Sequence, residues 1–266
     1  MSAQNAVLTA PRGRSFQISS MQVKRTLLMA GLTAIVLLAW SMLWDKTDWL
    51  SSPAETWDFF VVTVRTPSTY SNLAATASRL FIGLFMGYVA GLGAAFLMHR
   101  SKWWDLFTRP YVFIALSTPA LAMCLISLMI FSLSDFGVYM AIAGTIFPFV
   151  SISLLAGLNS IDAHLTEMTE VFRFSWFDRL WHQALPEMAP HLFSAFRNVH
   201  ALAWKVVVLA ELFSAQNGIG FQYKRAFAFF STKRLIVWAV FFMLMVTVVE
   251  YGILRPFERF VFRWRS

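Results

Sequence analysis

Three charged residues interrupt an otherwise apolar segment, and they are the side chains best suited to chemistry. Arg197, Lys205 and Glu211 lie between about residues 188 and 213. In a helix, Arg197 and Glu211 are about 21 Å apart along the axis and cannot pair with each other. Both are predicted either to pair with other helices or to reach a polar boundary. Lys205 is nearer the middle of the segment, where a charge is hardest to expose to water, so we predict that it lies in a solute path or at a subunit interface. Arg197 and Lys205 together put two positive charges on one helix, which favours an anionic solute.

Motifs for catalysis are absent from the sequence. It contains no Gly-Lys pair of a phosphate-binding loop, no His-Glu-x-x-His and no Gly-x-Ser-x-Gly. The five histidines have no metal-ligand spacing, and the single cysteine, Cys124, excludes a disulfide within the chain. We therefore predict no enzyme activity, no metal and no cofactor in this chain.

The composition indicates a membrane protein. Hydrophobic residues make up 58% and charged residues 14% of the 266 positions, whereas soluble domains are about one quarter charged. The net charge of +8 is spread between apolar runs, which argues against a nucleic-acid-binding domain. About 20 apolar residues span a bilayer, and six segments qualify: 27–44, 80–98, 109–135, 135–162, about 188–213 and about 235–254. The predicted fold is an all-α integral membrane bundle of six transmembrane helices.

The positive charges predict the orientation. Six spans put both termini on one side, and that side carries thirteen of the 22 Lys and Arg residues, which places both termini in the cytoplasm. The last loop on the opposite side, with Lys224, Arg225, Lys233 and Arg234, works against this bias. We predict a cytoplasmic segment 1–26, a single transmembrane domain 27–266 and a short interfacial helix from about Ala54 to Val64.

Two further patterns have more than one interpretation. Gly83, Gly87 and Gly91 form a stripe that favours close helix packing, with a hinge or substrate groove as the alternative. The polar segment 162–187 has apolar residues at helical spacing, which predicts two short amphipathic helices bent around residues 173–175. Such helices need a groove, either on a partner protein or on the ends of the same bundle.

The 162–187 loop resembles the "EAA" loop of permeases from bacterial binding-protein-dependent ABC importers. Glu167, Met168 and Thr169 stand in its first positions, and Leu185-Pro186 closes it at the matching distance. The run 201–211 followed by Gly218-Ile219-Gly220 resembles the branch that imports sulfonates, taurine and nitrate. The family's loop glycine is replaced by Arg173, in a bend where positive φ favours glycine.

This resemblance implies a type I importer permease fold and a set of partners. Cytoplasmic ATPase subunits, which hold ATP and Mg, would contact the loop through the residues Glu167, Met168, Thr169, Val171, Phe172, Arg173 and Pro186. An extracytoplasmic solute-binding protein would deliver the solute. A second permease would complete the path, with a homodimer favoured and a heterodimer possible.

Other classes of protein remain as alternatives. A secondary transporter without an ATPase would use Arg197, Lys205 and Glu211 as its intramembrane sites. An accessory permease-like subunit would have a structural role only. A membrane enzyme is disfavoured because paired His, Asp or Glu residues near a membrane boundary are missing.

Overall fold

The computed structural model describes residues 50–161, 167–169 and 171–256, together with residue 28 and residues 31–32, 34–35 and 38–44. The chain divides into two compact units, residues 1–53 and residues 54–266. The predicted cytoplasmic segment 1–26 lies outside the described residues. In the first unit the described residues up to Trp44 are helical. The predicted first span, 27–44, is thus described only in part.

The second unit is built from helices throughout its described residues. Their bounds are α1 Pro53–Arg65, α2 Pro67–Arg100, α3 Lys102–Ser117, α4 Ala120–Ile130, α5 Asp135–Asn159, α6 Trp176–Arg179, α7 Leu185–Ser214, α8 Ile219–Ala228 and α9 Thr232–Val249. Two π-helical turns, Leu180–Ala184 and Glu250–Leu254, join α6 to α7 and extend α9. Helix α1 matches the predicted short helix within one residue at each end, and Pro53 opens it without losing a needed N–H.

Among the described residues, four helices are long and apolar enough to cross a membrane: α2, α5, α7 and the segment Thr232–Gly252. A fifth crossing is possible if α3 and α4 together form one span. Six spans are therefore not confirmed, whereas the all-helical membrane architecture is.

The predicted span over residues 109–135 is not one continuous helix. Helices α3 and α4 meet at an angle of 107°. The break is at Thr118 and Pro119: Thr118 is extended, with φ −72° and ψ 126°. A residue before proline is driven out of the helical region by the proline ring, and proline has no N–H for the helix ladder. The local sequence therefore ends α3 even though no charge interrupts the apolar run.

The glycine stripe of α2 lies directly against α5. A Cβ added to Gly83 would come within 2.7 Å of the Ile142 Cβ, and one added to Gly91 within 2.6 Å of the Val150 Cβ. Gly87 faces Ile146 in the same way. The absence of side chains on this face lets the two helix backbones approach, as small residues do in membrane bundles.

Helix α2 begins 13 residues before the predicted start of its span. Residues 67–79 are helical, and Arg79 is only 4% exposed. An unpaired guanidinium would not be buried in such a position because of its desolvation cost. The burial of Arg79 therefore depends on partners from elsewhere in the chain.

Candidate functional site

Arg79 is the centre of a buried polar network that joins α2, α5 and α7. Its Nη1 donates to Glu211 Oε1 at 2.7 Å and to the Asn217 carbonyl oxygen at 3.0 Å. Its Nε donates to Asp135 Oδ1 at 2.9 Å, and its Nη2 donates to Asn217 Oδ1. The guanidinium donors are thus occupied by two carboxylates and one asparagine. The fork-shaped group of arginine suits this multidentate pattern better than lysine would.

Glu211 is the fully buried acceptor of the network, at 0% exposure. Besides the Arg79 bond at Oε1, its Oε2 accepts from Thr76 Oγ1 and from the Gly220 backbone N–H, both at 2.9 Å. Removing one partner of a buried ion pair costs about 3–5 kcal/mol, because the remaining charge is left unpaired. This carboxylate is therefore a structural element that the fold cannot easily lose.

The network also caps the N-terminus of α8. Gly218 N donates to Asn72 Oδ1 at 2.7 Å, and Ile219 N donates to Thr76 Oγ1 at 2.9 Å. With the bond from Gly220 to Glu211, three successive backbone N–H groups are satisfied by side chains from other helices. A carboxylate at a helix N-terminus is also favoured by the helix dipole. Helix α8 is thus fixed by residues distant in sequence, since Gly218 itself has no side chain with which to cap it.

The two glycines of the Gly218-Ile219-Gly220 motif are required by this arrangement. Gly218 has φ 103°, a conformation that L residues with a side chain rarely adopt. A Cβ at Gly218 would lie 2.5 Å from both carboxylate oxygens of Glu211. A Cβ at Gly220 would collide with the Val208 carbonyl oxygen. The motif therefore provides the space in which the carboxylate meets the helix end.

The structure separates the three charges predicted as candidates on α7. Glu211 is in the buried network, and Arg197 Nη2 bonds Glu250 Oε1 at 3.2 Å on a more exposed surface. The interhelical pairing considered for these two residues is present in both cases. Lys205 is exposed, and within the described part of the chain it has no ion-pair or hydrogen-bond partner. Its role in translocation stays a prediction.

The helical position of these residues explains the separation. Trp204 Nε1 donates to His200 Nε2 at 2.9 Å, and both side chains are buried on the same side of α7 as Glu211. Lys205 lies one position beyond Trp204, about 100° further around the helix, and so points away from this packed face. His200, Trp204 and Glu211 thus share the buried face of α7.

The 162–187 loop presents an unusually apolar surface. Its described residues include Met168, Val171, Phe172, Phe174, Phe177 and Trp181, all of which are 41% exposed or more. Glu167 and Pro186 lie at its two ends, exposed and half-buried respectively. Thr169, by contrast, is buried, and its hydroxyl contacts Gln183 Oε1 at 3.4 Å. The apolar side chains are therefore exposed on a loop whose two ends are connected by the contact between Thr169 and Gln183.

The predicted bend in this loop is confirmed at Arg173, which has φ 52°. Phe174 N donates to the Thr169 carbonyl oxygen at 3.0 Å, the six-residue bond of a Schellman helix end in which the left-handed residue precedes the donor. Glycine is the usual residue in this position; a left-handed arginine costs about 1–2 kcal/mol. Of the two predicted amphipathic helices, the second runs through a π turn directly into α7.

Sequence reasoning missed Arg79, Thr76 and Asn72 as partners of the α7 carboxylate. A signal was present, because Arg79 directly precedes an apolar span and Glu211 lies inside another. Two opposite charges that each need a partner predict a pair. Nothing in the sequence indicates that the loop at Gly218 would contribute backbone donors as well. Among the described residues, no group of three or more His, Cys, Asp or Glu side chains could hold a metal ion.

Comparison with known proteins gives the family. Residues 82–260 match the model of the binding-protein-dependent transport system inner membrane component. The aliphatic sulfonates transport permease protein SsuC of Bacillus subtilis is 26% identical over 74% of this chain and 71% of its own length. The taurine transport system permease protein TauC of Escherichia coli is 25% identical over 74% of this chain and 71% of its own length. Nitrate import permeases also match, over about half of each chain. The resemblance to this branch is thus confirmed.

A solved structure supports the fold independently. The crystal structure of an amino acid ABC transporter with histidines superposes with a TM-score of 0.59, covering 75% of this chain and 97% of that one at 20% identity. At this identity the likeness bears on the fold alone.

The family is that of a permease component, which is not catalytic and is a multi-pass protein of the inner membrane. With its matching membrane helices and more than half of its length covered by the family model, this chain belongs to the inner membrane components of binding-protein-dependent transport systems.

Proposed function

We propose that this chain forms the translocation path of an ATP-driven importer for a small anionic solute, which an extracytoplasmic binding protein delivers. The observation that carries the proposal is the exposed apolar surface of the 162–187 loop in a chain without a phosphate-binding motif. Cytoplasmic ATPase subunits, which hold ATP and Mg, cover this surface. Both termini then lie on the cytoplasmic side with the loop, as the positive charges of the sequence favour.

The apolar side chains of the loop are costly in water. Val171 is 79% exposed and Phe172 67% exposed, and burying one side chain of this kind contributes about 1.5–3 kcal/mol. Contiguous exposed apolar side chains such as these mark interaction sites. Because the loop runs through the π turn into α7, a force applied by a partner at Phe172 reaches the helix that carries Lys205. This connection supports a coupling role for the loop residues from Glu167 to Arg173 and for Pro186.

The proposed anionic solute is supported by Lys205 and by the relatives. Arg197 and Glu211 are paired within the chain, so Lys205 is the α7 charge best placed to meet a solute or a second subunit. Proteins similar to this one are named for sulfonate, taurine and nitrate import. Closed two-fold assemblies of identical subunits are the commonest, which favours the homodimer over a mixed pair.

Two alternatives predict different behaviour. An ATPase-independent transporter would leave the loop without a partner and would transport in proteoliposomes without ATP. An accessory subunit would bind the ATPase but need a different permease for transport. Co-purification of the assembled complex, with a count of distinct permease chains, distinguishes these cases and also tests the homodimer.

Phe172→Asp tests the coupling directly, with Leu133→Asp as a matched control. Leu133 lies between α4 and α5 and is 66% exposed, against 67% for Phe172. We expect Phe172→Asp to abolish the solute-dependent stimulation of ATP hydrolysis and to lower ATP-driven uptake at least tenfold, while membrane insertion is unchanged. Leu133→Asp should retain both activities. Normal uptake by Phe172→Asp would exclude the loop as the coupling element.

A further inference from the structure

The α8–α9 turn, taken as residues 224–234 to include the last residues of α8 and the first of α9, has a concentration of positive charge that the membrane topology does not explain. It contains Lys224, Arg225, Lys233 and Arg234, and no acidic residue occurs between Glu211 and Glu250. The charge bias of the sequence places this turn on the side opposite to the termini, where Lys and Arg are normally depleted. The four basic residues are thus present on a side of the membrane where the charge bias disfavours them.

Three phenylalanines lie at the tip of the same turn and point away from the protein. Phe227, Phe229 and Phe230 are 77%, 70% and 86% exposed. Phe230 is held in a left-handed conformation, φ 46°, closed by the bond from Ser231 N to the Ala226 carbonyl oxygen. A strained, fully exposed aromatic residue is unfavourable in water, so the turn is built to present these rings to an apolar phase.

The two arginines of this segment contact aromatic rings, one of them Phe229 at the tip. The Arg234 guanidinium lies 5.9 Å from the ring centroids of both Phe59 and Phe229, and Arg225 lies 5.9 Å from that of Phe221. Lys224 and Lys233 are exposed and flank the phenylalanines in sequence. The segment therefore has four cations close in sequence to an apolar tip, and the two arginines are weakly stabilised by aromatic contacts.

The location of the turn favours a lipid as the partner. Along α9, Leu235, Met243 and Val248 are exposed on several sides of the helix, as suits a helix in contact with acyl chains. Trp57 of α1 lies two residues before the Phe59 ring that Arg234 contacts and is exposed as well; tryptophan is common at the water–bilayer boundary. These features favour a position of the basic residues at the depth of lipid headgroups, with the phenylalanines beside an apolar phase. A soluble protein partner would not explain the continuity with the exposed apolar side chains of α9.

We infer that the α8–α9 turn, residues 224–234, is a binding site for an anionic phospholipid, with its basic residues on the headgroup phosphate and its phenylalanines beside the acyl chains. The site is distinct from the 162–187 loop and does not depend on the proposed solute. It lies on the helix that the network of Arg79 and Glu211 fixes in place.

A photocrosslinking phenylalanine analogue at position 230 tests the inference, with position 227 as a second attachment point. The full chain is reconstituted in nanodiscs of equal phosphatidylglycerol and phosphatidylcholine, and mass spectrometry of the adducts gives the headgroup ratio. We expect phosphatidylglycerol to predominate. Lys224→Gln with Lys233→Gln should lower its ratio to phosphatidylcholine at least fivefold, the effect of about one interfacial charge. This double variant keeps all three arginine–aromatic contacts.

The matched control is Arg100→Gln with Lys102→Gln, which also removes two exposed charges. Arg100 is the last residue of α2, roughly 40 Å from the helix start that lies near α8. The control should leave the adduct ratio at position 230 unchanged. Equal adducts of the two lipids at both attachment points would overturn the inference. So would equal loss in the control, or crosslinking to an added binding protein in place of lipid.

Discussion

The strongest energetic prediction concerns the buried pair of Arg79 and Glu211. We propose a double-mutant cycle with Arg79→Met, Glu211→Met and the combined variant. Arg79→Met leaves Glu211 with Thr76 and the Gly220 N–H as its remaining partners. Glu211→Met leaves a guanidinium that still contacts Asp135 and Asn217, but it also removes an acceptor from the start of α8.

The magnitude follows from the geometry. Arg79 Nη1 and Glu211 Oε1 are 2.7 Å apart, and the two side chains are 5% and 0% exposed. Two unit charges at about 4 Å attract by about 4 kcal/mol at an effective dielectric constant of 20, and breaking a buried pair costs about 3–5 kcal/mol. We therefore expect each single variant to lose about 3–5 kcal/mol of unfolding free energy. The combined variant should lose at least about 2 kcal/mol less than the sum.

The assay is reversible unfolding of the purified chain in mixed micelles, followed by circular dichroism. The control pair is Asp105 and Arg109, which are 27% and 49% exposed at a 2.8 Å contact. Removing that pair should change stability by no more than about 1 kcal/mol, with little coupling, because solvent screens exposed pairs. Additive effects of Arg79→Met and Glu211→Met would refute the reasoning, since they would show that the two charges do not stabilise each other.

Three further predictions concern single positions. Gly218→Ala should lower stability by at least about 2 kcal/mol, because its Cβ would meet the Glu211 oxygens at 2.5 Å. Gly93→Ala, where a Cβ would meet nothing within 4 Å, should be neutral or stabilising in the same unfolding assay. Arg173→Gly should stabilise the bend by about 1 kcal/mol, measured as slower amide exchange in the loop, while Arg173→Ala should give no such gain. Lys205→Met should slow uptake without changing assembly of the complex, whereas Lys205→Arg should retain uptake; full uptake by Lys205→Met would exclude this residue from the mechanism.

The loop bend illustrates what could be predicted locally. The position of Arg173 follows from the spacing of the 162–187 loop, and a helix end of this type requires a left-handed residue whatever its side chain. The same reasoning failed at residues 109–135, where apolar length outweighed the proline signal. Pro119 was the local signal for a break, because a proline disfavours the helical conformation of the residue before it irrespective of hydrophobicity.

The sequence by itself determined the class of this protein: a membrane bundle, with its apolar segments, its amphipathic loop and no catalytic motif of its own. These properties depend on hydrophobicity and short-range spacing, which are local. Only the tertiary structure decided that Glu211 belongs to a buried network and Lys205 to an open surface. The partners of Glu211 come from Thr76, Arg79 and Gly220, two of them more than 130 positions away. Helices distant in sequence decide by their packing which charges are paired. Burial makes an unpaired charge costly, so the stable packing is one in which the buried charges meet.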